Sequence, residues 1–89
     1  MIMKIEEARD ALRIDGEDND PIIYPLLEAI PPYLETTTGK AWDKEPIQPL
    51  AKQVAKFILI KWFDGTEAYD KTIDGLLTAL TAMGRNIDG

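Results

Sequence analysis

The apolar residues of this chain recur at intervals of three and four positions, which is the period of an α-helix with one buried face. Four segments carry this pattern, and no segment shows a strand pattern of comparable strength. The segments run from about residue 4 to 12, 21 to 37, 47 or 50 to 63, and 73 to 83. We therefore predict an all-α fold, a small bundle of about four helices within a single domain over residues 1–89.

The third segment has the widest apolar face of the four. That face is formed by Ala51, Val54, Ala55, Ile58, Leu59 and Trp62, with Phe57 and Ile60 at its margins. A helix this apolar needs cover on more than one side. We expect it to lie at the centre of the bundle, with Trp62 buried.

The second helix contains the unusual sequence Ile30-Pro31-Pro32. Prolines inside a helix remove hydrogen bonds and clash with the preceding turn, so the helix should either kink or break in two. The apolar pattern continues beyond the prolines, which favours one kinked helix. We expect Gly39 to end the second helix as a left-handed cap. We expect Asp64-Gly65-Thr66 to end the third helix. We expect Gly84 to end the fourth, leaving residues 84–89 frayed.

An acidic turn, Asp15 to Asp20, separates the first two helices and bends at Gly16. Asp20 is expected to cap the second helix, and Pro21 suits its first turn, where no N–H is needed. A calcium loop starting at Asp15 would need Gly in sixth place and Glu in twelfth. Those places hold Asp20 and Leu26. The sequence therefore favours a structural turn over a metal site.

Composition excludes several classes of function. The chain has 89 residues with no Cys and no His, so it lacks thiolate ligands, disulfides and the commonest general base. Its net charge of −6 argues against electrostatic wrapping of nucleic acid. No apolar run approaches the ~18 residues of a membrane span, and the N-terminus is unlike a signal peptide. We expect a soluble intracellular protein that is not an enzyme and holds no cofactor or metal.

Four residues are candidates for contact with another subunit or a partner. Trp42 lies in a loop with nearby prolines, where we expect it to be exposed or half-buried, either as a lid on the core or as an interface anchor. Lys52 and Lys56 are one turn apart, and they form either a solvated helix edge or a contact with an acidic surface. A neighbouring copy's Asp15–Asp20 turn is one such surface. Arg85 lies in the C-terminal tail, the other candidate contact.

The order of these features resembles the small head–tail connector proteins of tailed phages and prophages. The pieces that carry the resemblance are Leu12-Arg13-Ile14-Asp15, Asp18 to Asp20, Tyr33-Leu34-Glu35, Thr38-Gly39, Ala51 to Trp62, and Gly75-Leu76-Leu77. They extend over nearly the whole chain, from Ile5 to about Arg85.

The resemblance implies a structural virion-assembly role without active-site residues. Copies of the chain would form a ring beneath the portal protein, extend the DNA channel and dock a downstream tail-completion protein. DNA would pass nearby without specific binding. The protein would be found in the host cytoplasm during assembly and then in the virion neck. The alternative is a small acidic helical interaction module, such as a regulator or a DNA mimic.

Overall fold

Four helices make up the regular structure of the protein. A computed structural model describes residues 1–88. The helices are α1 (Ile5–Leu12), α2 (Asp20–Thr38), α3 (Pro49–Asp64) and α4 (Asp70–Asp88). No strand is present in this part of the chain. The predicted all-α bundle is confirmed, because each helix lies where the apolar pattern placed it.

Helix α3 is the central element, as predicted. It packs against each of the other three helices, as α2 also does, but only three of its sixteen residues are exposed. The fully or almost fully buried side chains that form the core are Ile2, Met3, Ala8, Ile23, Leu27, Ile30, Leu34, Trp42, Ala51, Val54, Ala55, Ile58, Leu59, Ile73 and Leu80. All are apolar, so burial of nonpolar surface is the main stabilising term.

Helix α2 continues without a break through Pro25, Pro31 and Pro32. The prediction of one helix rather than two is therefore confirmed. Pro31 faces the core, whereas Pro25 and Pro32 are exposed to solvent. A proline in a helix interior costs about 3 kcal/mol relative to alanine. Burial of the neighbouring core residues offsets this cost for the helix as a whole, but the two exposed prolines are not among the core residues.

Two helices end on the predicted glycines. Gly39 closes α2 with a φ of 91°, and Gly65 closes α3 with a φ of 65°. In each case the glycine N–H donates to a carbonyl four residues earlier, at 2.9 Å. Helix α1 instead ends on Arg13, which adopts the left-handed conformation with a φ of 58°. A non-glycine residue there was not anticipated, since side chains disfavour this region.

Three further predictions need correction. Gly84 does not end α4, which continues to Asp88; residue 89, part of the predicted frayed tail, lies outside the described residues. Trp62 is half-buried rather than buried, and packs edge-to-face on Tyr33 with ring centroids 5.3 Å apart. Trp42, expected to be exposed or half-buried, is only 6% exposed. Trp42 is therefore the more buried of the two tryptophans, because the α2–α3 loop folds back over the bundle.

Candidate functional site

The acidic turn between α1 and α2 is a solvent-exposed bend. Gly16 has a φ of 85°, a conformation that suits glycine, so its predicted turn role agrees with the structure. Asp15, Glu17 and Asp18 are all exposed beside it. Among the side chains of residues 1–86 no group of three or more acidic residues is arranged to hold a metal ion. The turn therefore presents negative charge to solvent without a defined ligand cage.

Asp20 has a different role from the predicted cap. Asn19 occupies the cap position, without a side-chain capping bond, while Asp20 starts the helix ahead of Pro21 in the first turn. The Asp20 carboxylate accepts two hydrogen bonds from the Arg9 guanidinium, at 3.0 Å from Nε and 2.5 Å from Nη2. These bonds hold the pKa of Asp20 below its ordinary value and raise that of Arg9. The pair fastens the start of α2 to α1.

The Lys52 side chain is bonded within the subunit. Its Nζ lies 2.9 Å from Oε2 of Glu7 on α1. This hydrogen bond, with a smaller Coulombic contribution from half-buried Lys56, lowers the pKa of Glu7. The ion pair with Glu7 on α1 therefore accounts for the position of Lys52. Contact of the Lys52–Lys56 edge with a neighbouring copy stays a prediction.

Trp42 closes the bundle beside α4. Its indole N–H donates to Oγ1 of Thr38 at 3.1 Å, and the Lys40 ammonium lies 5.3 Å from the ring centroid. The ring is so close to Gly84 that a Cβ on this glycine would lie 3.1 Å from Trp42 Cζ2. This packing explains why a glycine lies inside α4, and it supports the lid interpretation of Trp42 over the interface anchor.

Helix α2 carries a second row of apolar residues on the side opposite the core. We call this row the α2 outer face; it consists of Ile22, Pro25, Ala29, Pro32 and Tyr33. All five are exposed, with Ile22 58% and Tyr33 36% accessible. Their spacing of three, four, three and one keeps them on one side of the helix. Sequence reasoning missed this face because the stronger row, from Ile23 to Leu34, accounted for the helix.

The exposed side of α4 carries small and basic residues rather than an apolar row. We call this row the α4 outer face; it consists of Lys71, Gly75, Thr78, Ala82 and Arg85, all exposed. Small side chains occupy its centre, and a cation stands at each end. Arg85, predicted to lie in a frayed tail, is a residue of this helical face. The contact of Arg85 with a partner stays a prediction.

The remaining surface offers little that resembles a catalytic site. One cleft lies beside the α2–α3 loop and is lined by Glu35, Lys40, Asp43 and Lys44 among others. Among the described side chains, those of residues 1–86, no buried polar atom lacks a hydrogen-bond partner. No helix in this described part has the length and apolar content needed to cross a membrane. The candidate functional features that the structure adds to those predicted from the sequence are the α2 and α4 outer faces.

The chain matches the model of a known protein family. The family model described as phage gp6-like head-tail connector protein matches residues 2–80. This region contains α1, α2 and α3 entirely and most of α4. No significant match was found among curated proteins or among solved structures.

Proposed function

We propose that this chain, which belongs to the phage gp6-like head-tail connector family, acts as one subunit of a closed ring between portal and tail. Family membership supports a structural role at the phage head–tail junction. The match over residues 2–80 is the observation that carries the proposal, because it takes in almost the whole fold. The resemblance identified from sequence motifs is thus confirmed at the level of the family.

The surface of the subunit is suited to ring assembly. A ring with rotational symmetry requires two different patches on each subunit that mate head to tail. The α2 and α4 outer faces are two such patches, since one is apolar and the other has small residues flanked by cations. Both lie on long helices that pack together, so their relative positions are set by the core.

The charge of the subunit is suited to a channel for DNA. The net charge is −6, and Asp15, Glu17 and Asp18 of the acidic turn are exposed. Negative charge repels phosphate, so DNA can move past such a wall without being held. The proposed function requires no residue to take part in a chemical reaction. Its partners are further copies of itself, the portal protein and the next tail-side protein, in the virion neck.

The proposal is tested by mixing purified chain with its cognate portal protein. We expect the chain to bind the portal and form a ring on it, detected by light scattering after size exclusion and by electron microscopy. Deleting the gene should leave DNA-filled heads that do not join tails. A chain that stays monomeric or dimeric, ignores the portal and is dispensable for tail joining would contradict the proposal. That result would favour an acidic interaction module.

A further inference from the structure

The α2 outer face is an exposed apolar surface, and of its residues Tyr33 also packs against Trp62 of α3. Two of its residues, Pro25 and Pro32, are seven positions apart, so they lie on one side of the helix two turns from each other. Both are exposed and disrupt helical hydrogen bonding without contributing to the core. Ile22 and Tyr33 extend this surface along the helix. A surface of this kind is typical of a contact with another protein.

The charges around the two outer faces are complementary. Helix α2 contains Asp20, Glu28 and Glu35 and no basic residue. Glu28 and Glu35 are exposed at the margin of its outer face, and Asp18 is exposed just before the helix. The α4 outer face carries two cations, Lys71 and Arg85, and the exposed carboxylate of Asp74 lies at its margin, so the net charge of this side is positive.

The positions of these charges allow them to pair whether the two helices run parallel or antiparallel. Lys71 and Arg85 are fourteen positions apart, or about 21 Å along α4. Carboxylates occur towards both ends of α2, as Asp18 and Glu35. Parallel and antiparallel packing of the two faces would therefore each bring a cation near a carboxylate at both ends. On α4, Asp70 is bonded to Lys61 and does not oppose this pairing.

We propose that the α2 outer face of one subunit packs against the α4 outer face of a second copy of this chain. The small residues at the centre of the α4 face, Gly75, Thr78 and Ala82, leave room for the bulkier row of α2. Small side chains at a contact allow two helices to approach closely. The contact is heterologous, so its repetition builds the ring. This inference rests on the proposed function and names the surfaces that make it.

Cysteine crosslinking tests the inference directly, because the chain contains no cysteine of its own. Ala29→Cys lies at the centre of the α2 outer face and Ala82→Cys at the centre of the α4 outer face. The two variants are mixed, alone at high concentration and with the portal protein, and then mildly oxidised. We expect a covalent dimer between the two variants. Gln53→Cys, at an exposed position on α3, is the matched control and should crosslink poorly with either.

Arginine variants supply a second, independent measurement. Ala29→Arg and Ala82→Arg each place a charge at the centre of one face, and should each weaken ring formation by about tenfold or more, since a buried unpaired charge is costly. Each still has one intact face, so a mixture of the two should form a dimer that cannot grow. Gln53→Arg makes the same change of charge on α3 and should assemble as the parent does.

The outcomes separate this inference from the proposed function. If the parent forms rings while the 29–82 crosslink stays at the level of the control, the assigned faces are wrong and the ring function stands. A dominant 29–29 crosslink would show an isologous contact, and a crosslink to the portal alone would show a docking face; both overturn the inference. If the parent neither assembles nor binds the portal, the proposed function fails, and the inference fails with it.

Discussion

Replacing Trp42 by alanine is expected to be among the most destabilising single changes in this chain. Trp42 is only 6% exposed, because it is covered by the core, the α2 C-terminus and α4. A tryptophan side chain buries roughly 150–250 Å². At about 25 cal/mol per Å² this corresponds to roughly 4–6 kcal/mol of transfer free energy.

The expected loss follows from this area and from measured behaviour of similar substitutions. Trp→Ala changes in protein cores typically lower the free energy of unfolding by about 3–5 kcal/mol. The lost indole bond adds little, because Thr38 Oγ1 retains its bond to the Leu34 carbonyl at 2.7 Å. A domain of this size has a total stability of only about 4–13 kcal/mol. Trp42→Ala should therefore leave a marginally folded protein.

Urea denaturation followed by far-UV circular dichroism measures this loss. Trp62→Ala is the matched control, because Trp62 is half-buried and should lose roughly half as much. With only two tryptophans in the chain, each variant retains one fluorophore that reports its own surroundings. A Trp42→Ala variant within about 1 kcal/mol of the parent would refute the reasoning. A folded Trp42→Ala variant that cannot assemble would instead restore the interface-anchor interpretation.

Two more predictions concern the Arg9–Asp20 pair and the glycines of α4. The pKa of Asp20 lies below its ordinary value because Arg9 bonds its charged form, so the stabilisation is complete at neutral pH and is lost as the pH falls below about 4. Thermal melts between about pH 7 and pH 2 should therefore show a smaller loss of Tm in Asp20→Asn than in the parent; equal losses would contradict this. Gly75→Ala should stabilise the monomer by about 0.5–1 kcal/mol, because the site is open and alanine favours helix. Gly84→Ala should give no such gain in urea denaturation, since its Cβ would lie 3.1 Å from Trp42, and equal gains at both sites would show that this contact is loose.

Local patterning was sufficient to predict most of the secondary structure. The period of the apolar residues placed all four helices and identified α3 as central, because helical period and burial are properties of neighbouring residues. Gly39 and Gly65 marked two helix ends for the same reason, since a left-handed cap is a local preference. The family resemblance depended on the order of short motifs along the chain, which is also visible without a structure.

Long-range contacts decided the points that the local patterns predicted wrongly. Asp20 had the residue type of a helix cap, but α1 places Arg9 within reach, and a charge-assisted bond replaced the cap. Gly84 is of a residue type that often ends a helix, but α4 continues through it. The Trp42 ring packs where a side chain at position 84 would lie. Neither partner is recognisable from the local sequence around the residue it affects.

The two outer faces also depended on the tertiary structure. Apolar residues occur on both sides of α2, and only the packing of α2 on α3 and α4 shows which row is buried and which is left exposed. Sequence by itself determined the helices, their order and the family, because these follow from residue type and spacing. The assembled bundle decided which side chains pair, which tryptophan is buried and which surfaces remain for a partner, because burial depends on residues that are distant in the chain.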